Sequence, residues 1–243
     1  MSIANNLEGL SQAVERAAAR SERPPEAVAL MAVVKGHPLA EIRQVYEAGH
    51  RFMGLNRIQE ATDKIPRLPG DIAWHMIGHI QTNKARLVPR LFRMAHSVDS
   101  LRLAQALDKA WKAMLDEESD TPAPAGGRFD ILLEVNVSGE ASKFGLAPDA
   151  AETCLRQIVA LNGLRIRGLM TMAPYTDEPE QTRPVFRALS QLRDRLRDLA
   201  LENAPLDHLS MGMSNDFEVA IEEGATIVRV GSAIFAPQGA QSP

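Results

Sequence analysis

Short apolar runs alternating with helix-spaced stretches constrain this chain more than any other feature of its sequence. The first run, residues 28–34, is continuously apolar and is closed by Lys35-Gly36-His37-Pro38, as a strand buried on both faces would be. Residues 39–48 then carry helical spacing and stop at Gly49, where a left-handed C-cap suits glycine. The alternation recurs. Further strands are predicted over 52–56, 72–77, 93–98, 130–137, 164–172, 208–211 and 226–230, with helical patterns over 58–64, 82–88, 100–115, 148–161, 182–201 and 215–223. That makes eight strands, preceded by an amphipathic helix over 3–20 that carries Leu7, Leu10, Val14 and Ala18 at helical spacing. Eight β-then-α units predict a (β/α)8 TIM barrel with one extra helix in front; a doubly wound open sheet is the alternative that strand counting leaves open. Both arrangements put functional residues at the carboxyl ends of the strands.

Composition narrows the function. At 243 residues the chain is expected to be one domain over 1–243, interrupted by an acid-, proline- and glycine-rich stretch at 116–127 that predicts a flexible surface loop. A formal net charge of −4 and 5% aromatic residues argue against nucleic acid as a partner, which would call for a basic stripe or stacking platforms. The single cysteine, Cys154, forbids an internal disulfide, fits a reducing compartment and removes Cys-rich zinc sites. It is expected to lie in the core. Glu8 and Glu15 break the N-terminal region before any signal-like apolar stretch, and no run approaches the ~18 apolar residues of a membrane span. A cytoplasmic protein without membrane contact is therefore expected. Eight closed strands leave no edge that needs a partner, so a monomer is expected too.

No P-loop, H-E-x-x-H, G-x-S-x-G or G-x-G-x-x-G motif is present. His75 and His79 stand four apart, but Gly78 and the strand pattern before it speak against a helix that would bring them together on a metal; no metal site is expected. Lys35 is more informative, because it closes an apolar strand at what would be a barrel mouth. A lysine desolvated there becomes a usable nucleophilic amine; a solvated strand-end marker is the alternative. Arg229 interrupts the apolar run Ile227-Val228-Arg229-Val230, where a guanidinium needs either a structural carboxylate or a ligand. Two glycine-and-serine turns follow the late strands: Ser210-Met211-Gly212-Met213-Ser214 and Gly231-Ser232. Exposed amides, hydroxyls and a helix start make an anion cradle where barrels often hold phosphate, unless Ser214 or Asn215 merely caps the next helix. A carbonyl-reactive lysine, an arginine and a phosphate cradle together match what pyridoxal 5′-phosphate requires. Lys84 and Lys143 also fall near strand ends and would attract phosphate or take the aldehyde transiently, if they are not solvated loop residues.

Several long segments resemble one family almost end to end: residues 32–38 (Ala-Val-Val-Lys-Gly-His-Pro), 54–60 (Gly-Leu-Asn-Arg-Ile-Gln-Glu), 74–84 (Trp-His-Met-Ile-Gly-His-Ile-Gln-Thr-Asn-Lys), 168–172, 208–216 and 229–235. The chain resembles the pyridoxal phosphate homeostasis proteins. The resemblance implies a barrel similar to the N-terminal domain of alanine racemase, with pyridoxal phosphate held as a Schiff base on Lys35. It also implies Asn56 and His75 around the ring, Arg229 facing the pyridine nitrogen, and Ser210, Gly231 and Ser232 on the phosphate, within the turn that includes Met211, Gly212 and Ser214. Leu55 stands where that family usually has glutamate, and Val34, Ser232 and Ala236 are milder departures.

Members of that family are thought to buffer or deliver the cofactor, which implies a non-catalytic regulator with transient apoenzyme recipients. Arginine cannot accept the ring proton, so the ring nitrogen stays neutral and carbanion chemistry is disfavoured. A weak racemase or lyase is the alternative, and it needs a second acid/base opposite the lysine. Alanine racemase takes a tyrosine for this from a C-terminal domain; with Pro243 following soon after the eighth strand, a counterpart of that domain is not expected here. Only Tyr46 and Tyr175 exist here; Tyr46 is expected to pack, and Tyr175 lies in a loop that can approach the mouth. A phosphosugar-binding barrel using the same cradle without the cofactor is a third reading.

Overall fold

The structure is a computed structural model, and it describes residues 2–117, 127–140 and 143–237. The eight runs form β1 (Ala29–Val33), β2 (Phe52–Leu55), β3 (Ala73–Met76), β4 (Met94–Val98), β5 (Phe129–Glu134), β6 (Leu164–Met170), β7 (His208–Ser210) and β8 (Ile227–Val230). Each pairs in parallel with the next, and β8 pairs with β1, so the sheet closes into a barrel and the open doubly wound arrangement is excluded.

The helices around it are α1 (Ile3–Arg20), α2 (Leu39–Glu47), α3 (Ile58–Lys64), α4 (Val88–Leu91), α5 (Leu101–Asp116), α6 (Ala151–Ile158), α7 (Arg183–Arg197), α8 (Phe217–Glu222) and α9 (Ser232–Phe235). Gly49 follows α2 with φ of 88°, as its place after the helical pattern predicts. Three helical predictions need trimming. Residues 82–87 are a tighter 3-10 turn, and α4 begins only at Val88, with Pro89 in its first turn where a missing N–H costs nothing. The stretch over 148–161 is α-helical only in α6, and that over 182–201 only in α7, beyond which Ala200 turns left-handed at φ of 48°. Of the acidic loop expected over 116–127, Asp116 closes α5, while 118–126 lie outside the described residues.

The core follows the two-residue alternation of strands. Leu30, Ala32 and Val34 of the first run face outward and join the apolar layer between barrel and helices, as do Met53, Leu55, Trp74 and Met76. Met31 and Val33 face inward and meet Ile77 and Ile227; a second inward group is Met94, Leu132 and Met170. Each fully buried aliphatic side chain of this kind contributes about 1.5–3 kcal/mol. Cys154 is buried on α6, as its apolar setting predicts.

The extra helix has a definite task. From α1, Asn6 donates its side-chain amide to the carbonyls of Ile234 (2.9 Å) and Ala236 (3.2 Å), tying down α9. Arg20 at the other end pairs with Glu218 (2.7 Å) and Glu222 (2.8 Å) of α8. One helix thus braces the two segments that follow β7 and β8. Asn6→Ala is expected to cost about 1 kcal/mol of stability, with faster amide hydrogen exchange concentrated in α9; a denaturation curve and exchange mass spectrometry measure both.

Candidate functional site

A cavity of about 320 Å3 opens at the carboxyl ends of the strands. Val33 and Lys35 follow β1 into it, Asn56 follows β2, Ile77 follows β3, and Arg229, Gly231 and Ser232 come from β8 and the turn beyond. Loops after β6 and β7 close the other side with Met172, Pro174, Tyr175, Met213, Ser214 and Asp216. Period-two alternation explains the selection: Lys35 continues the inward phase of Met31 and Val33, and Gly231 that of Ile227 and Arg229.

Lys35 is exposed at the rim, so the burial expected to desolvate its amine is not there. It sits on a turn just past the strand, where the cavity is open to solvent. That turn is nonetheless pinned. Gly36 donates its N–H to Glu60 Oε1 (2.8 Å), and Lys64 donates to the same carboxylate and to the His37 carbonyl. Across the cavity floor, the Asn56 side-chain oxygen is buried and has no hydrogen-bond partner among the described residues. Gly78 lets the backbone come this close: a Cβ there would lie 2.3 Å from the Asn56 carbonyl oxygen.

Arg229 is 5% exposed, and no carboxylate pairs with it among the described residues. It donates to Ser210 Oγ (2.7 Å) and to the Thr171 carbonyl (2.9 Å). Burial pushes its guanidinium down to about 10, while Asp216 and Glu134 act against that shift, so it remains a cation at neutral pH. Ser214 does not cap α8. Asp216 holds that position and accepts the Met213 N–H at 2.6 Å, while Ser214 Oγ accepts N–H bonds from Gly231 (3.3 Å) and Ala233 (3.4 Å). The two late turns therefore meet at Ser214, as an anion cradle requires.

Six of the residues singled out in the sequence share this cavity: Lys35, Asn56, Ser214, Arg229, Gly231 and Ser232. Four do not line it. Met211 is on the outward phase and wholly buried in the core. Gly212 adopts φ of 90°, and a Cβ there would meet Ala220 Cβ at 2.6 Å, so it shapes the turn. Ser210 lies beneath, bonded to Arg229. His75 points into the barrel interior and borders a different cavity at the opposite end, beside Phe52, Met94 and His208. Leu55 packs outward in the core, so the departure at that position removes no contact from the cavity.

Of the other residues weighed in the sequence, Asn215 lines the cavity, while His79, Lys143, Lys84 and Tyr46 fall outside it. His79 stacks on Phe144 at 3.8 Å, and Lys143 pairs with Glu140 at 2.7 Å. Lys84 lies in the 3-10 turn over 82–87, and Tyr46 donates to Asp71 (3.2 Å), away from the mouth. Tyr175 does line the cavity.

Three buried polar residues went unrecognised in the sequence. His96 bonds His75 (Nε2 to Nδ1, 2.8 Å) and Ser210 (Nδ1 to Oγ, 2.9 Å), and is fully buried. Glu134 ends β5 and is 4% exposed; burial, with Asp99 adding repulsion, raises its carboxyl to about 7. Thr171 donates to the Val135 carbonyl at 2.7 Å while its own carbonyl takes Arg229. The signal that singled out Arg229, a polar residue breaking an apolar strand, was present for His96 and Glu134 as well.

The chain is similar to known proteins over nearly its whole length. The family described as alanine racemase, N-terminal domain, matches residues 6–238. A pyridoxal phosphate homeostasis protein of Pseudomonas aeruginosa is 40% identical over 242 residues, covering 99% of this chain and 98% of its own. One of Aquifex aeolicus is 38% identical over 237 residues, with coverage of 97% and 98%. The solved structure of PipY from Synechococcus elongatus with PLP bound superposes with a TM-score of 0.78 at 35% identity, covering 96% of this chain and 100% of that one.

Buried titratable groups give stability a definite pH slope. Burial lowers His75 to about 3, and lowers His96, His50 and His208 as well. Below about 6.5 the unfolded chain takes up protons at these rings that the native chain refuses, so stability falls as pH falls. Glu134 acts oppositely, since native protein holds its proton up to about 7 while the unfolded chain loses it near 4.5. The imidazoles outnumber it, so the urea midpoint is expected to rise between pH 4.5 and 6.5. Glu134→Gln should steepen that rise by about 1.4 kcal/mol per pH unit, the contribution of one proton.

Proposed function

The chain belongs to the pyridoxal phosphate homeostasis proteins, and on that premise we propose that its mouth cavity binds pyridoxal 5′-phosphate and holds it for other proteins without turning over a substrate. One observation carries the proposal. A primary amine (Lys35), a buried amide oxygen without a partner (Asn56), a donor-only cation (Arg229) and a turn-on-turn cradle (Ser214, Gly231, Ser232) face a single cavity. Its volume, about 320 Å3, falls in the range of small-molecule sites.

These residues fit the group. When bound, pyridoxal phosphate supplies an aldehyde that condenses reversibly with a primary amine, releasing water. Lys35 is the amine in this cavity, and the bonds among Gly36, Glu60 and Lys64 keep its turn in place. Asn56 offers an acceptor whose burial without a partner is otherwise a cost of about 1–3 kcal/mol. The Gly231 and Ala233 amides hold Ser214 Oγ only at 3.3 and 3.4 Å, weak bonds that a phosphate oxygen would replace with stronger ones.

Arg229 bears on the choice between carrier and enzyme. A guanidinium donates only, so it would offer an N–H to the ring nitrogen and leave that nitrogen unprotonated. An unprotonated ring withdraws electrons weakly, which favours holding the cofactor over carbanion chemistry. The exposed position of Lys35 suits release to an apoenzyme. We further propose a cytoplasmic monomer: the closed barrel leaves no strand edge to pair, and the lone cysteine suits a reducing compartment. Tyr175 is the observation that favours a weak racemase, because it brings a phenol to the same cavity.

Addition of pyridoxal phosphate should give a visible absorbance band, and borohydride should fix a phosphopyridoxyl mass on the peptide carrying Lys35. A band that survives in Lys35→Ala rejects this attachment point. Asn56→Leu should weaken binding about tenfold, read from absorbance titration. Amino acids incubated with the loaded protein in D2O should take up no deuterium at Cα; uptake that Tyr175→Phe abolishes would establish the racemase instead.

A further inference from the structure

A continuous hydrogen-bonded line crosses the barrel interior from β8 to β3: Arg229 to Ser210 (2.7 Å), Ser210 to His96 (2.9 Å), and His96 to His75 (2.8 Å). All four side chains are at least nine-tenths buried. We infer that His96 is a positioning residue: it draws the Ser210 proton toward itself, so that Ser210 presents its lone pair to Arg229 and the guanidinium is held charged and oriented beneath the mouth cavity. The inference rests on the proposed cofactor site for its purpose, though not for its geometry.

The direction of the line follows from the ends. Arg229 has donors and no acceptor, so Ser210 Oγ must accept from it. Among the described residues, the Ser210 hydroxyl proton then has one hydrogen-bond acceptor, Nδ1 of His96. With Nδ1 accepting, a neutral His96 carries its proton on Nε2 and donates to Nδ1 of His75. His75 in turn carries its proton on Nε2, at the end of the line that borders the lower cavity of about 330 Å3.

Every dipole in the line thus points the same way, with its negative end toward Arg229. Aligned bonds polarise one another, which spreads the guanidinium charge along the barrel axis. That matters because Arg229 has no carboxylate pairing with it among the described residues; Asp216 and Glu134 act on it only through space. Burial disfavours a second charge on either ring, with His208 repelling one at both, Arg93 at His75, and His75 and Arg229 at His96. Both rings therefore serve as neutral dipoles. Phe52 meets the His75 ring edge-on at 4.7 Å and keeps it from turning.

Nitrogen NMR of uniformly labelled, unliganded protein at pH 7 tests the direction. Both rings are expected to show a protonated Nε2 and a bare Nδ1; a protonated Nδ1 on His96 overturns the inference. His96→Phe keeps the ring volume and gives Ser210 no acceptor. It should accelerate proton exchange at the Arg229 guanidinium and raise the pyridoxal phosphate dissociation constant about tenfold. His96→Gln, whose amide both accepts and donates, should restore most of each loss. If folded His96→Phe matches the wild type in guanidinium exchange, the positioning role is refuted. Failure of the wild type to take up the cofactor would sink the proposed site alone, because tautomers and guanidinium exchange are read without it.

Discussion

Closure of a parallel sheet imposes the constraint on which everything else here depends. Once β8 pairs with β1, every strand has an inside and an outside, and successive residues alternate between them. The outward set can be uniformly apolar because helices cover it. The inward set is small and converges on one axis, so any polar residue placed there is brought toward the others whatever its distance along the chain. Met31, Val33 and Lys35 share the inward phase on one strand; Ile227, Arg229 and Gly231 share it on its neighbour. Moving β8 by one residue would exchange Arg229 for Val228 or Val230 and take the guanidinium out of the barrel interior.

Much of this was legible because the barrel writes itself into the sequence twice, as apolar runs and as the polar interruptions within them. Lys35 and Arg229 stood out as charges at or inside such runs, and both reach the mouth. Residues flanking a motif are harder to sort. Met211 sits one residue from Ser210 and another from Gly212, and only its phase, visible once the strand register is known, sends it to the outer core. His75 misled for a related reason: it is on the inward phase, but it lies one inward position before Ile77, which lines the upper cavity, and it borders the lower one. Depth along the axis is set by strand stagger, which local sequence does not carry. His96 was missed because a lone histidine in a strand looks like packing until its two neighbours, one on β3 and the other on β7, are seen to accept and donate in line.

The histidines also bear on how a buried arginine is tolerated without a counter-ion. A direct carboxylate would stabilise the charge more strongly, yet it would also compete for the donors and offer a proton acceptor close to the cavity. Ser210 and the Thr171 carbonyl satisfy two guanidinium donors with neutral oxygens. The consequence is a cation that stays charged, stays put and has little capacity to shuttle protons. Glu134 fits the same scheme: a carboxyl raised to about 7 is partly protonated at neutral pH, so it softens the field around Arg229 without pairing with it.

The exposed lysine changes the physical picture that its sequence position suggests. Burial at a barrel mouth would have shut the amine off from solvent, a property useful in a catalyst that must turn over. An amine open to water equilibrates instead. Its turn is held by the Glu60 carboxylate, which bonds Gly36 and Lys64 together, so position is fixed even though solvation is not. A molecule whose task is to take up a reactive aldehyde and surrender it gains from this separation. In the proposed site, hydrolysis by solvent would stay accessible at the amine, while affinity would be supplied several bonds away, by the cradle at Ser214 and the cation at Arg229. Binding strength and release rate would then be set by different residues, and each could change without disturbing the other.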